Sequence, residues 1–169
     1  MKQNIRLLLV VILILINTNL VQAQMNQDYK NTDHKVIITF PDSWQLIERP
    51  VQPDYLALSA RGSNQFPVIT LVSGPHKEID KSNTQSNTAQ NKISSLSNIE
   101  DQGETTIDGV KAKWVLSSHM LLPMRTYSLT YFIITEHDDY VISMQGIYSN
   151  YENDRKVFDE IVSTTKFLD

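Results

Sequence analysis

Apolar and polar side chains alternate along most of the chain, and this period of two residues predicts β-strands. Residues 34–40 show the pattern, with every second side chain from Val36 onward apolar. Residues 55–60 and 67–73 flank a cluster of turn-forming residues, which predicts a hairpin between two strands. Similar patterns predict strands over residues 110–120, 125–135 and 140–147. Residues 44–48 are interpreted as a short extended piece, and residues 99–107 as extended and polar.

The predicted strand over residues 125–135 is apolar on both of its faces. Its tyrosines lie on one face, and Phe132 and Ile134 make the opposite face partly apolar as well. A strand of this kind is typical of the centre of a sheet that is covered on both sides. We therefore expect other elements to pack against both faces of the sheet.

Two further segments repeat their apolar side chains at the spacing of a helix. The first covers residues 82–97, and the second follows Ser149, which forms a predicted capping box with Glu152. Their apolar stripes consist of Ala89, Ile93 and Leu96 in the first helix, and of Tyr151, Phe158, Ile161 and Val162 in the second. Hairpin-connected strands with two such helices predict an α+β fold, in which an antiparallel β-sheet is sandwiched by helices as α/β/α layers.

Residues 1–23 have the three parts of a cleavable signal peptide. Lys2 and Arg6 give a positive start, and residues 7–16 form an unbroken apolar run before a polar stretch that ends at Ala23. A helix that spans a bilayer needs about 20 apolar residues, so this run is too short for an anchor. We therefore expect cleavage between Ala23 and Gln24 and an exported protein, in the periplasm rather than free in the medium. An uncleaved anchor is the alternative.

Length and composition narrow the class of the mature protein. The 146 residues left from the 169-residue chain suit one domain, with residues 24–33 as a flexible leader and residues 34–169 as the folded part. Loss of Lys2 and Arg6 changes the formal net charge from −4 to −6, which disfavours binding to nucleic acid and to anionic lipid. The chain has no Cys, so thiolate chemistry, Cys-ligated metals and disulfides are excluded.

The densest local group of metal-ligating side chains consists of Glu136, His137, Asp138 and Asp139. Their carboxylates suit a hard cation such as Ca²⁺, whereas His137 suits Zn²⁺. The ligand spacing of an EF-hand is absent, and Asp is common in turns for backbone reasons. We therefore interpret the group first as a solvated hairpin turn and expect no bound metal or other cofactor.

Motifs for catalysis are missing from the sequence. Neither a Gly-x-Ser-x-Gly elbow nor a glycine-rich phosphate loop is present. The serines Ser59, Ser63, Ser73 and Ser117 are interpreted as ordinary strand or turn residues. We expect a non-enzymatic protein, and two alternatives stay open. These are a small-ligand carrier and a hydrolase or metal-dependent enzyme whose site is assembled from dispersed residues.

The aromatic residues on the predicted strands are interpreted as core. Trp44 and Trp114 would otherwise form an exposed platform for a ligand, but large aromatic side chains dominate the packing of sheets. Tyr127, Tyr131 and Tyr140 have apolar neighbours and are also expected inside.

The least ordinary surface candidate is the turn that contains Pro123. Leu121, Leu122 and Met124 would form an exposed apolar tip beside Arg125, unless the turn is covered. Exposed apolar patches mark contacts with partners or membranes. These four residues are therefore candidates for partner binding.

The order of the elements and several residues at fixed places match a known family. These residues are Phe40-Pro41-Asp42-Ser43-Trp44 after the first strand, Asp108-Gly109 before the strand with Ala112 and Trp114, Tyr140-Val141-Ile142, and Lys166-Phe167 after the last helix. In this layout, which covers nearly all of residues 34–169, the chain resembles the PsbP-like superfamily and its DcrB-type bacterial exported proteins.

The resemblance implies an antiparallel sheet between helices and a role in binding or assembly without catalysis. Pro41, Trp44 and Gly109 are carried over as fold residues, and the superfamily has no shared catalytic set to transfer. The signal peptide argues against the nuclear-transport and cytoplasmic-chaperone roles of some members. Our leading hypothesis is an exported, non-enzymatic PsbP-like module that binds a protein or another cell-envelope partner.

We predict that the mature protein begins at Gln24, because the apolar run is long enough for a signal peptide and too short for an anchor. N-terminal sequencing of the exported protein checks this. A mature chain that begins at Met1 would contradict it.

Overall fold

Ten strands form two antiparallel sheets in the part of the chain that the computed structural model describes, which is residues 26–50, 54–62, 66–75, 98–121 and 123–168. The strands are β1 (Asn26–Asn31), β2 (Val36–Pro41), β3 (Gln45–Pro50), β4 (Leu56–Arg61), β5 (Val68–Pro75), β6 (Asn98–Ile107), β7 (Val110–Leu121), β8 (Met124–Ile134), β9 (Asp138–Ile147) and β10 (Lys166–Phe167). A 3₁₀ turn over Tyr148–Asn150 leads into helix α1 (Tyr151–Ser163). The strands predicted from residue 34 onward are confirmed.

The large sheet has seven strands in the order β3-β4-β5-β9-β8-β7-β6, and the small sheet has three in the order β1-β2-β10. Most neighbours are consecutive hairpins, as the turn signals predicted. Asp108 and Gly109 close the hairpin between β6 and β7 with φ values of 48° and 79°. Because left-handed φ values suit Asp and Gly in two-residue turns, the Asp108-Gly109 signal is explained by its backbone geometry.

One face of the large sheet is buried beneath α1 and the small sheet. The ring of Tyr131 packs on Phe158 of α1 at a centroid distance of 5.6 Å, and Tyr140 packs on Phe167 of β10 at 4.8 Å. The helix therefore contributes the stripe that its sequence predicted, and the predicted core tyrosines are confirmed. The buried apolar residues include Val36, Ile38, Phe40, Leu58, Ile69, Leu71, Tyr127, Leu129, Ile133, Ile142, Met144, Ile161 and Val162.

The expectation of a flexible leader over residues 24–33 is wrong for residues 26–31, which form β1 at the edge of the small sheet. The side-chain amide of Gln27 donates to the carbonyl of Trp44 at 2.6 Å, and the Tyr29 hydroxyl donates to Glu48 at 2.7 Å. Burial of the ring is the main cause that raises the pKa of Tyr29 to about 12. An edge strand needs no apolar face of its own, so the polar sequence concealed it.

One local prediction fails. Ser149 lies in the 3₁₀ turn, so Asn150 is the N-cap of α1, and its side chain makes no capping hydrogen bond. On β8, Phe132 is half-buried and Ile134 is 55% exposed. The helix predicted to cover this face lies outside the described residues, so coverage of both faces of β8 stays a prediction. β9 lies at the centre of the large sheet, with β8 beside it.

The fold is thus an antiparallel α+β arrangement with α1 as the one α-helix of the described residues. The helix predicted over residues 82–97 and the signal peptide over residues 1–23 lie outside those residues. The second helical layer of the α/β/α sandwich therefore stays a prediction.

Asp108 also fastens the C-terminal strand to the β6–β7 turn. One carboxylate oxygen accepts a hydrogen bond from the Lys166 ammonium at 2.8 Å, and the other accepts one from the backbone N–H of Phe167 at 2.9 Å. These donors hold the pKa of Asp108 below its usual value, with the Lys166 contact as the largest cause. The clamp keeps Phe167 against Tyr140 in the core.

We predict that Gly146→Ala destabilises the protein by about 1–3 kcal/mol, because a Cβ at Gly146 would lie 2.6 Å from the Tyr127 hydroxyl oxygen. That hydroxyl donates to Asp154 of α1 at 2.7 Å and has little freedom to move. Gly62→Ala is the matched control, since its Cβ would lie at an ordinary 3.5 Å from Trp44. Urea unfolding measures both variants, and equal effects would contradict this account of Gly146.

Candidate functional site

The four residues of the predicted turn at the start of β9 do not act as one group. Glu136 and His137 are exposed, whereas the side chain of Asp138 points inward to His34 and Ser73. No group of three or more His, Asp or Glu side chains among the described residues is placed to hold a metal ion. The structure therefore gives no support to the metal-binding interpretation of Glu136, His137, Asp138 and Asp139.

Asp138 instead belongs to a polar cluster that joins the two sheets. One of its carboxylate oxygens lies 3.2 Å from Nδ1 of His34, in the β1–β2 turn, and accepts a hydrogen bond from the Ser73 hydroxyl of β5, also at 3.2 Å. The Ser73 oxygen lies 3.3 Å from the same Nδ1 atom. We call these three residues the polar joint.

The polar joint contains the residue types of a catalytic triad but not its geometry. In a triad, the two ring nitrogens of His contact Ser and Asp separately. Here the close contacts to Ser73 and Asp138 are both made by Nδ1 of His34, and Ser73 is only 1% exposed. A substrate therefore has no access to the Ser73 hydroxyl in this structure.

The surroundings of the polar joint are those of a packed junction. The Tyr140 hydroxyl donates to the backbone carbonyl of His34 at 2.7 Å, which ties the turn of the small sheet to β9. Burial is the main cause that raises the pKa of Tyr140 to about 12, so this hydroxyl remains a donor at neutral pH. The joint holds the two sheets together, and we assign it a structural role.

We predict that Asp138→Ala costs about 1–3 kcal/mol of stability, because the largely buried carboxylate that Ser73 and His34 contact is lost. The exposed neighbour Glu136 provides the matched control as Glu136→Ala, which should be nearly neutral. Adding Ser73→Ala to Asp138→Ala should cost less than the sum of the single changes. Strictly additive free energies of unfolding would show that the two side chains are not coupled.

Both tryptophans pack against other parts of the fold. Trp44 is buried beside Phe40, with ring centroids 6.4 Å apart. Trp114 is half-buried, with its indole against the backbone of Gly103 and the guanidinium of Arg155 5.4 Å from its ring centroid. Both rings are used in packing, as the sequence predicted.

Two exposed methionines flank the turn between β7 and β8. We define the β7–β8 tip as residues 120–124, in the order Met-Leu-Leu-Pro-Met. Met120 is 65% exposed and Met124 is 47% exposed, which are high values for large apolar side chains. The side chain of Leu121 and the whole of Leu122 lie outside the described residues. The predicted exposure is thus observed at Met124 and extends to Met120.

Arg125 lies at the base of the tip in a fixed position. Its guanidinium pairs with Glu100 of β6 at 2.5 Å and stacks over the ring of Tyr148 at 3.8 Å from the centroid. Hydrogen bonds from Ser118 and Arg125 lower the pKa of Glu100, so its carboxylate is charged at neutral pH. One cation, one anion and one aromatic ring therefore lie next to the tip.

Sequence reasoning identified part of this surface and missed the rest. Met120 belongs to the apolar run that begins there, and it was missed because the strand pattern assigned it to β7. The contacts of Arg125 with Glu100 and Tyr148 join residues 25 and 23 positions apart, and only the sheet pairing brings them together. The polar joint likewise depends on pairings between distant segments.

The fold is similar to that of several solved structures. Cyanobacterial PsbP (CyanoP) from Synechocystis sp. PCC 6803 matches with a TM-score of 0.67 and 9% identity, over 87% of this chain and 95% of that protein. LpqN of Mycobacterium tuberculosis, a protein involved in cell envelope biogenesis, matches with a TM-score of 0.59 and 12% identity, over 86% of this chain and 91% of LpqN. The chain therefore has the PsbP-like fold that its sequence predicted.

A protein of Bacteroides thetaiotaomicron VPI-5482 also matches, with a TM-score of 0.60 and 9% identity. The match covers 86% of this chain but 49% of that protein, so this chain spans about half its length. No family model matches the sequence, and no curated protein does so either. Among the described residues, no helix is long and apolar enough to cross a membrane.

Proposed function

We propose that this chain is an exported, non-catalytic PsbP-like module that binds a component of the cell envelope through the β7–β8 tip. The observation that carries the proposal is the exposure of Met120 and Met124 beside a turn whose sequence is otherwise Leu-Leu-Pro. A folded chain gains no stability from apolar side chains that stay in water. Exposed apolar side chains grouped near one end of a hairpin are typical of a contact surface.

The side-chain chemistry of the tip supports binding. Methionine is flexible and polarisable, and it adapts to irregular apolar surfaces better than branched side chains do. Arg125 holds the base of the hairpin through Glu100 and Tyr148, so the exposed residues are presented from a defined scaffold. Binding by a preordered surface costs less conformational entropy than binding by a loose loop.

The fold comparisons agree with a role in the envelope without defining a partner. LpqN, which shares this fold, is involved in cell envelope biogenesis. The signal peptide predicted over residues 1–23 would export this chain, which agrees with a role in the envelope. The polar joint gives the hydrolase hypothesis no support, because its serine is buried and both of its contacts are made by one nitrogen of His34.

We predict that the mature protein binds to an envelope fraction from its native cell, and that Met120→Gln with Met124→Gln reduces the bound fraction by about tenfold. Each substitution replaces an exposed apolar group with a polar one of similar size and leaves the core unchanged. Co-sedimentation with the envelope fraction measures the effect. The control is Ile134→Gln, which changes an equally exposed apolar residue at the opposite end of β8.

Loss of binding in the tip variant alone would support the proposal. Equal loss in the Ile134→Gln variant would indicate general apolar adhesion and would contradict a specific role for the tip. Binding that neither variant changes would place the contact elsewhere on the molecule. Thermal unfolding of all three proteins checks that the folded state is retained.

A further inference from the structure

All of the sulfur in this chain is in methionine side chains. The sequence has five Met and no Cys, so the thioether is its one sulfur group. Met1 and Met25 lie outside the described residues. Of the methionines that the structure describes, Met120 is 65% exposed and Met124 is 47% exposed, whereas Met144 is 0% exposed. A small oxidant dissolved in water therefore reaches the first two side chains and not the third.

The difference in exposure follows from the positions of these residues in the large sheet. Met144 lies in β9 at the centre of the sheet, between Ile69 of β5 and Leu129 of β8, which are themselves buried. Met120 is the next-to-last residue of β7, and Met124 is the first residue of β8. We call Met120 and Met124 the methionine pair. The pair is exposed in the folded state, whereas Met144 becomes accessible when the sheet opens.

Peroxides oxidise accessible thioethers to sulfoxides. The sulfur lone pair attacks one oxygen of hydrogen peroxide, and the O–O bond breaks as the S–O bond forms. The hydroxide that leaves takes the proton of the transferred OH group and becomes water, so sulfur loses two electrons and the peroxide gains them. The reverse step consumes two thiols, which become a disulfide while the sulfoxide oxygen leaves as water. Because this chain has no Cys, a separate methionine sulfoxide reductase supplies those thiols.

Oxidation at the methionine pair changes the polarity of one place on the exposed apolar surface. The other large apolar side chains that are exposed in the described residues contain no sulfur. These residues are Phe66, Val72, Ile99 and Ile134. Because both members of the pair are exposed, a sulfoxide there opens no cavity in the core. The folded state is therefore retained while a flexible apolar group becomes a polar one.

We propose that the methionine pair is a reversible oxidation site, at which peroxide converts both thioethers to sulfoxides, and that this change switches off binding through the pair. The oxidation site is inferred from the exposure of Met120 and Met124 and the burial of Met144. The switch rests on the proposed function, in which the same two side chains contact an envelope component. A sulfoxide disfavours an apolar contact, because its oxygen loses water when the contact forms.

The first test is peptide mapping by mass spectrometry after the native mature protein is treated with hydrogen peroxide. Trypsin places Met120 and Met124 in one peptide, residues 114–125, and Met144 in another, residues 126–155. Fragment ions then locate the added oxygen within each peptide. Each member of the pair should gain one oxygen at least about tenfold faster than Met144, because oxidation of a buried side chain requires local unfolding.

The same mapping in urea provides the control for burial. Once the protein is unfolded, the three methionines should react at similar rates, because they have the same chemistry. A rate for Met144 in the native protein that equals the rates of the methionine pair would overturn the oxidation site.

The second test measures the switch with a variant that keeps sulfur at the methionine pair alone. Met25→Leu with Met144→Leu does this in the mature chain, and leucine nearly conserves the volume of the buried Met144. Treatment with peroxide, followed by its removal, should reduce co-sedimentation of this variant and of the wild-type protein with the envelope fraction by about tenfold. Methionine sulfoxide reductase should restore binding. Oxidation of the pair with unchanged binding would overturn the switch.

Met120→Leu with Met124→Leu is the matched control, since leucine is apolar and contains no sulfur. The bound fraction of this variant is measured with and without peroxide, and the two values should agree. If peroxide weakened its binding as strongly as that of the wild-type protein, another oxidised group would be responsible and the switch would be overturned.

The outcomes also distinguish this inference from the proposed function. Selective oxidation of the methionine pair, in a protein whose binding to the envelope fraction does not depend on Met120 and Met124, would support the oxidation site and overturn both the proposed function and the switch. Equal oxidation of Met144, together with binding that depends on the pair, would overturn the oxidation site and leave the proposed function.

Discussion

Burial of one face of the seven-stranded sheet is the constraint on which the rest of the structure depends. The chain has no disulfide to restrict its unfolded state, so the stability of the domain comes from apolar surface removed from water. That face carries buried side chains on every strand from β4 to β9 in the described residues, including Leu58, Leu71, Leu129 and Ile142. A sheet of this width needs a cover on this face, and α1 alone reaches only part of it.

The two ends of the domain complete that cover, and polar contacts fix them in place. β1 and β2 come from the beginning of the described chain and β10 from its end, and all three lie in one small sheet over the large one. The polar joint, the Tyr140 hydroxyl and the Asp108 clamp each connect this small sheet to a strand or turn of the large sheet. Apolar packing provides the driving force, whereas these directional contacts set the position of one sheet on the other.

Local patterns predicted the strands in which buried and exposed side chains alternate along the sequence. Alternation located β2, β4, β5 and β7 to β9, because each of these strands has one buried face. The Asp108-Gly109 signal located the turn after β6, since left-handed φ values suit these two residues. The same reasoning missed β1, since its polar side chains are satisfied by hydrogen bonds to residues such as Trp44 and Glu48. It also misplaced the cap of α1, because one 3₁₀ turn shifted the start of the helix past Ser149.

The exposed apolar residues beside the β7–β8 turn could be predicted from the sequence. The contacts of Arg125 with Glu100 and Tyr148 could not, because they depend on how the strands pair. Met120 and Met124 gain little from folding, since they are exposed to water in the folded and unfolded states alike. Apolar residues beside a turn depart from the usual polar composition of turns, so the sequence itself marks this position. The support from Arg125, Glu100 and Tyr148 obeys every local rule for surface residues, so nothing in the sequence marks it.

The β7–β8 hairpin extends beyond the core. Residues from Ala112 to Leu116 of β7 pack in or beside the core, whereas the last paired residues, near Leu121 and Met124, lie beyond it. Changes at the tip therefore alter surface chemistry without opening a cavity, and changes at Trp114 or Tyr127 alter the packing on which the sheet depends. The exposed side chains of Met120 and Met124 therefore contribute little to the stability of the core. Their exposure is the observation from which we propose a binding role.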